Sequence, residues 1–215
     1  MKRALVFQVL ALLVTGFVLS SPSAFASALF PTVRAGSSAN GKFLVILEYG
    51  YENSAEEIKV IKQITYRVLQ KEDFINNYHR FQSQATYWSN SWTYWEVTIP
   101  AGSAPDGGLP LLTDDGAFLV FVSFIWPMSA ETNVVTIYQK QDRTGQLVRT
   151  LQLKDVWTAE ERKTHILQSG ATDHTPSWFY GGDFAFSPDN KHFIYTTSWG
   201  KRKVINLEHG EVLTD

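Results

Sequence analysis

The sequence predicts an all-β protein with minor α content, built from repeated antiparallel meander sheets. Seven Trp, nine Tyr and fourteen Phe among 215 residues supply the large side chains that half-buried pleated surfaces favour. Short apolar runs alternate with Asn, Asp, Gly and Pro turn residues, which is typical of strands. The runs also recur at a fixed spacing, which indicates a repeat architecture. With 44% hydrophobic and 19% charged residues, the chain has a globular composition.

The first 26 residues have the organisation of a signal peptide. Lys2 and Arg3 give a positive start, residues 4–19 are mostly apolar, and Ala24-Phe25-Ala26 is a small-residue cleavage site. An uncleaved membrane anchor is the alternative, but this run is shorter than the roughly 20 residues that span a bilayer. We therefore expect cleavage after Ala26, a single mature domain over 27–215 without a stable membrane anchor, and a periplasmic or secreted location.

Charge and cysteine content exclude several classes of function. The net charge is −2 and Lys and Arg form no long cluster, so a nucleic-acid partner is not expected. The chain has no Cys and therefore neither disulfides nor a thiolate nucleophile. No phosphate-binding Gly loop or dinucleotide fingerprint occurs, and no cofactor is predicted.

In the first half of the chain, one segment is ambiguous. Asn40-Gly41 reads as a turn that enters a strand over 43–49. Residues 54–71 fit both a helix, with a possible capping box at 54–57, and an alternating strand; Thr65 and Tyr66 favour a strand over 64–69. A short strand over 96–100 and a loop over 101–108 follow.

The second half contains clearer signals. Asp114-Asp115-Gly116 is a turn before a strand starting at Phe118, and residues 134–138 and 147–151 form a hairpin closed by Asp and Gly. Thr158 to Glu161 has capping-box spacing and predicts one short helix near 159–167. The closing stretch 183–213 reads as strands separated by the turns 187–190 and 208–210.

The repeat is anchored by Phe43, Phe118 and Phe193, each of which begins an apolar run after a turn, at intervals of 118 − 43 = 75 and 193 − 118 = 75 residues. It defines blade-like units at about 30–100, 108–155 and 178–215. Ser187-Pro188-Asp189-Asn190, the segment 142–151 and the segment 206–212 resemble the turns and strands of WD40-type or related bacterial β-propellers. This resemblance implies a propeller-like fold.

Three units are fewer than the roughly four to eight blades that close a propeller. We therefore expect an open or incomplete stack of sheets, closed by a further sheet within 72–100, by short protected edges or by oligomerisation through the sheet edges.

Catalytic and metal-binding signatures are missing from the sequence. The five His residues show no metal-ligand spacing. Asp173-His174 lies near Ser169 and Ser177, but no nucleophile elbow accompanies them. Asp114-Asp115-Gly116 lacks the further carboxylate of a calcium loop. We predict neither a catalytic residue nor a metal site.

An aromatic cluster is the best candidate for a functional surface. Its members are Tyr87, Trp88, Trp92, Tyr94 and Trp95. In an extended strand Trp88, Trp92 and Tyr94 share one face, which could form a platform for sugar rings or peptide aromatics. The alternative is that these rings pack between sheets.

The function predicted from sequence is that of an exported, non-enzymatic binding or scaffold protein with a protein or glycan ligand. The alternatives are a hydrolase or lyase on a propeller scaffold, and a carbohydrate-binding module that uses the aromatic cluster.

Overall fold

The computed structural model describes residues 35–53, 59–76, 93–100, 109–123, 129–166 and 182–213. They all belong to one compact unit, Arg34–Asp215. The predicted signal peptide and the predicted loop at 101–108 lie outside the described residues.

The described residues form twelve strands. In chain order they are β1 (Ala35–Ser37), β2 (Phe43–Asn53), β3 (Lys59–Gln70), β4 (Thr93–Pro100), β5 (Leu109–Leu112), β6 (Phe118–Val122), β7 (Asn133–Gln141), β8 (Thr144–Gln152), β9 (Asp183–Phe186), β10 (His192–Thr196), β11 (Arg202–Asn206) and β12 (Val212–Leu213). The predicted mostly-β class is confirmed.

These strands pair as three antiparallel meanders of four strands each. Meander 1 is β1 to β4, meander 2 is β5 to β8, and meander 3 is β9 to β12. One parallel pairing, Glu96 with Thr144, joins meanders 1 and 2 into an eight-stranded sheet. The two ends of that sheet also approach, because a Cβ added to Gly36 would lie 3.3 Å from the Pro110 carbonyl oxygen. The eight-stranded sheet is therefore nearly closed.

Short helices follow meander 2. The first, α1 (Leu153–Val156), was not predicted from the sequence. The second, α2 (Ala159–Glu161), continues as a π-helical turn over Arg162–Ile166. The predicted capping box is confirmed, since the Glu161 N–H donates to Thr158 Oγ1 at 3.2 Å and the Thr158 N–H donates to Glu161 Oε2 at 2.8 Å. Residues 71–76 are also helical.

None of the helices in the described part of the chain is both long and apolar enough to cross a membrane.

Several predicted strand boundaries shift in the structure. The preferred strand at 64–69 is confirmed as part of β3, whereas β4 begins at Thr93 and not at Glu96. The predicted hairpin is formed by β7 and β8, but its turn is Asp142-Arg143, with Asp142 at φ 54°. Gly145 lies inside β8, where a Cβ would come within 2.6 Å of the Trp95 ring. Close packing, not turn geometry, requires that glycine.

The turn before the second strand has the same hydrogen bonds in all three meanders. It begins at Ser38, Thr113 and Ser187, whose N–H groups donate to the carbonyl oxygens of Phe43, Phe118 and His192 at 3.1, 3.1 and 2.9 Å. The hydroxyl of each turn residue accepts the N–H of the same three residues at 3.1, 3.0 and 3.0 Å. Gly41, Gly116 and Asn190 occupy the left-handed position, at φ 68°, 70° and 57°.

These hydrogen bonds correct the predicted repeat spacing. His192, and not Phe193, is equivalent to Phe43 and Phe118, so the second interval is 192 − 118 = 74 residues. The sequence pattern placed Phe193 at this repeat position because it is the first large apolar residue of β10. It occupies the next position in the repeat and therefore points to the other face of its sheet.

The three turns are linked to one another in chain order. The Asn40 N–H donates to Asp114 Oδ1 at 2.7 Å, and Asn40 Nδ2 donates to the Asp114 carbonyl oxygen at 2.9 Å. The Asp114 N–H donates in turn to Asn190 Oδ1 at 3.2 Å. The turns of meanders 1 and 2 thus each contact the turn of the following meander, 74 and 76 residues away in sequence.

Each meander has a forward face and a backward face. In meanders 1 and 2 the forward face is directed toward the next meander, and the face of meander 3 at the equivalent positions is also called its forward face. Val45 on the forward face of meander 1 packs in a first core with Leu119 and Phe121 on the backward face of meander 2. Val120 on the forward face of meander 2 packs in a second core with Phe193 on the backward face of meander 3. Successive meanders therefore bury opposite faces against each other.

Candidate functional site

The predicted aromatic platform is only partly within the described residues. Tyr87, Trp88 and Trp92 lie outside them, whereas Tyr94 and Trp95 are near the start of β4. The predicted alternation fails at this point because Leu69 pairs with Thr93 and Val68 pairs with Trp95, which leaves Tyr94 without a partner in β3. Such a bulge redirects a side chain. Tyr94 and Trp95 consequently both pack against the first core.

Trp95 is a core residue. Its side chain is 0% exposed, and its Nε1 donates to the Gly116 carbonyl oxygen at 2.7 Å. The ring also packs on Gly145 of β8. Trp95 thus joins meander 1 to the turn of meander 2, and its ring is not available to a ligand; the packing alternative describes it correctly.

Tyr94 lies at the margin of the core and remains partly exposed. Its ring centre is 5.3 Å from that of Phe43, and Lys140 Nζ lies 4.8 Å from the Tyr94 ring centre. Phe43 is held in place by Gly116, where an added Cβ would approach the Phe43 ring to 2.8 Å. The two rings and the ammonium group form an aromatic and basic surface between meanders 1 and 2.

A groove of about 500 Å³ opens beside Phe43. We call it the Phe43 groove; its lining residues are Gly41, Lys42, Phe43, Gln70, Lys71, Glu72 and Ile75. Ile75 is 57% exposed and adds an apolar wall. Two lysines against one glutamate give the lining a net positive charge. The groove can offer a ring-stacking surface and ammonium donors to the same ligand.

The strands position these groups through backbone contacts. The Lys71 N–H donates to the Lys42 carbonyl oxygen at 2.8 Å, which holds the end of β3 against the start of β2. A Cβ added to Gly41 would lie 3.9 Å from Lys71 Nζ, so the Lys71 ammonium group lies close to the turn. Both lysine side chains are exposed and can therefore meet a ligand. This pairing could not be predicted from the sequence, because residues 42 and 71 come together through the register of β2 and β3.

A second groove, of about 360 Å³, lies between the helices and meander 3 and is lined in part by Trp157, Glu161 and Lys203. Lys203 Nζ donates to both Glu161 carboxylate oxygens at 3.1 and 3.0 Å and lies 4.7 Å from the Trp157 ring centre. Burial alone would raise the pKa of Glu161, but hydrogen bonds from the Thr158 N–H and from Lys203, with the charge of Lys203, lower it. The ion pair with Lys203 therefore favours the ionised form of Glu161 and links α2 to meander 3.

The histidines of the described residues do not form a catalytic arrangement. His192 Nδ1 lies 3.9 Å from Asp189 Oδ1, beside the turn of meander 3. His209 is exposed in the turn before β12, and His165 stacks on Trp199 with ring centres 4.6 Å apart. Within the described ranges no group of three or more His, Asp or Glu side chains could hold a metal ion. Asp173, His174, Ser169 and Ser177 lie outside those ranges.

The chain matches no protein-family model and no curated protein sequence.

Proposed function

We propose that this is an exported, non-enzymatic binding protein in which three blade-like meanders stack as in a β-propeller. Two features support the blade interpretation: the shared hydrogen bonds of the turns at Ser38, Thr113 and Ser187, and the burial of forward faces against backward faces. Propellers present ligand sites on loops and turns that a rigid scaffold positions. Export is checked by fractionating an expressing bacterium, and a protein that stays in the cytoplasm contradicts it. The mass of the exported protein checks cleavage after Ala26, and a mass that includes residues 1–26 contradicts that cleavage.

The ligand that best fits the Phe43 groove is an acidic sugar. The observation that supports this ligand is that the Phe43 ring and the ammonium groups of Lys42 and Lys71 line the same groove. The apolar face of a sugar ring stacks on an aromatic side chain, while a carboxylate on the sugar pairs with lysine. The adjacent Tyr94 ring, 5.3 Å from Phe43, extends the stacking surface.

Calorimetric titration with an acidic and a neutral oligosaccharide tests this assignment. We expect oligogalacturonate to bind and a neutral oligoglucoside of equal length to bind about fivefold more weakly, because ion pairs at an exposed site add on the order of 1 kcal/mol. Lys42→Gln combined with Lys71→Gln removes the preference without touching the core, since both side chains are exposed. Higher salt should also reduce the preference.

A matched control is Lys154→Gln, which removes an exposed lysine from the second groove. It should bind the acidic sugar as the unmodified protein does. Equal affinity for acidic and neutral sugars, or the absence of heat up to millimolar concentrations, contradicts the assignment. Binding of an acidic peptide in place of the sugar also contradicts it.

A further inference from the structure

The forward face of meander 3 has no sheet packed on it among the described residues. Its central row consists of residues that pair across the four strands: Ala185, Ile194, Val204 and Leu213. Ala185 and Leu213 are exposed, and Ile194 and Val204 are partly exposed. An apolar row of this kind on an open sheet face is characteristic of a contact surface.

The repeat identifies what kind of surface this is. By the turn hydrogen bonds, Ile194 is equivalent to Val45 and Val120. Val45 and Val120 are 1% and 0% exposed because each packs against the following meander. Ile194 therefore occupies a position that is buried against another sheet in both earlier copies of the unit.

The charges beside this row make the face complementary to itself. Thr196 pairs with Asp183 on one side and with Arg202 on the other, so the two opposite charges flank β10 at the same height. Both side chains are exposed. Consider a second copy related by a 180° rotation about an axis that is parallel to β10 and lies in front of this face. Arg202 of each copy then faces Asp183 of the other. The same rotation brings Ile194 onto Ile194 and Ala185 onto Val204.

A head-to-tail arrangement is less suited to this chain. It would place the forward face of meander 3 against the backward face of meander 1 in another copy. On that backward face Ile46 and Leu69 are already 4% and 1% exposed, so they have little surface to offer. A two-fold pair requires only the open face, and two-fold dimers are the commonest oligomers.

We propose that two copies of this chain associate face to face through meander 3, about a two-fold axis that lies between the two faces and is parallel to β10. The proposal is independent of the sugar site, which lies in meander 1. Four strands spaced about 4.8 Å apart, with five residues at about 3.4 Å each, give a face of roughly 14 by 17 Å. The area of this face, about 240 Å², is small compared with the roughly 800 Å² per partner of a standard interface. We therefore expect weak association, at high micromolar concentrations.

Sedimentation velocity on the mature chain from about 5 to 500 μM tests the proposal. We expect the average mass to rise toward that of a dimer and no further. Arg202→Glu and Asp183→Lys should each move the association to about tenfold higher concentration or beyond, because each creates a like-charge contact. The combined reversal Asp183→Arg with Arg202→Asp should restore association, because each reversed charge then faces an opposite charge in the other copy.

The control is Ile61→Asp, which changes an exposed apolar residue of β3 that is 38% exposed. It should associate as the unmodified chain does, whereas Ile194→Asp should remain monomeric. Circular dichroism verifies that each variant is folded. A chain that stays monomeric over the whole range overturns the proposal, as does a combined reversal that fails to recover. Masses above that of a dimer would indicate the head-to-tail arrangement instead.

Discussion

Meanders 2 and 3 have the same strand order and the same first turn, yet they bury their second strands differently. In β6 all five residues, Phe118 to Val122, are buried. In β10 buried and partly exposed residues alternate, with Phe193 and Tyr195 buried and Ile194 between them partly exposed. A strand that is covered on both faces becomes apolar throughout, whereas a strand that is covered on one face keeps its alternation.

The comparison shows that position in the stack, and not the repeat itself, determines how each copy tolerates change. Meander 2 lies between two cores, so both of its faces resist substitution. Among the described residues, meander 3 contributes only its backward face to a core. Equivalent substitutions in the two meanders should therefore have unequal costs.

The largest difference is expected on the second strands. Val120→Ala truncates a side chain that is 0% exposed, at the position equivalent to Ile194, so we expect a loss of about 2–3 kcal/mol in the free energy of unfolding. Ile194→Ala on the open face should cost about 1 kcal/mol or less, because less apolar area is withdrawn from water there. Denaturant titration measures both. Equal losses would show that the forward face of meander 3 is also covered.

A smaller difference is expected at the equivalent turns. Thr113→Val removes the hydroxyl that accepts the Phe118 N–H at 3.0 Å in a buried setting, and we expect a loss of about 1–2 kcal/mol. Ser187→Ala removes the equivalent bond to the His192 N–H, at 3.0 Å, where the surroundings are only partly buried. Water can replace that hydroxyl, so about 0.5–1 kcal/mol should be lost. Thermal and denaturant unfolding measure both losses. A larger loss for Ser187→Ala than for Thr113→Val would contradict the argument that the buried hydroxyl contributes more.

The smallest effect concerns the ion pair that links α2 to meander 3. The pKa of Glu161 is lowered in the folded protein, so the pair stabilises the fold above the ordinary carboxyl pKa of about 4.3 and this contribution is lost as the pH falls through the lowered value. Glu161→Gln should therefore flatten the dependence of stability on pH below about pH 4.5. The measurement is a series of denaturant midpoints between pH 3 and 7. If Glu161→Gln leaves that dependence unchanged, the ion pair does not contribute.

Much of the fold could be predicted from the sequence, because turn chemistry is local. Asn40-Gly41, Asp115-Gly116 and Asp189-Asn190 mark the three equivalent turns through their left-handed backbone preference. The predicted alignment of meander 3 with the other two meanders was wrong by one residue, because large apolar side chains occur on both faces of these strands. The pairing of Glu96 with Thr144 could not be predicted, since it joins two meanders through tertiary contact alone.

The candidate site was harder to predict from the sequence. The aromatic content predicted a ligand-binding surface near the start of β4. In the structure a bulge sets the direction of the Tyr94 side chain, and Trp95 is buried in the core. Alternation along an ideal strand cannot foresee a bulge. Phe43, Lys42 and Lys71 read as ordinary turn and strand residues until the pairing of β2 with β3 brings them together.

The linked turns at Asn40, Asp114 and Asn190 have a consequence for the order of folding. Each meander closes through contacts that are mostly between neighbouring strands, but the hydrogen bonds between turns join residues 74 and 76 positions apart. Such long-range contacts cost more loop entropy and form late. We expect the meanders to form first and the linked turns to close last, so that they report completed assembly. Pulse-labelled amide exchange at Asn40 and Asp114 would show protection after the strands; earlier protection would indicate that the turns nucleate the stack.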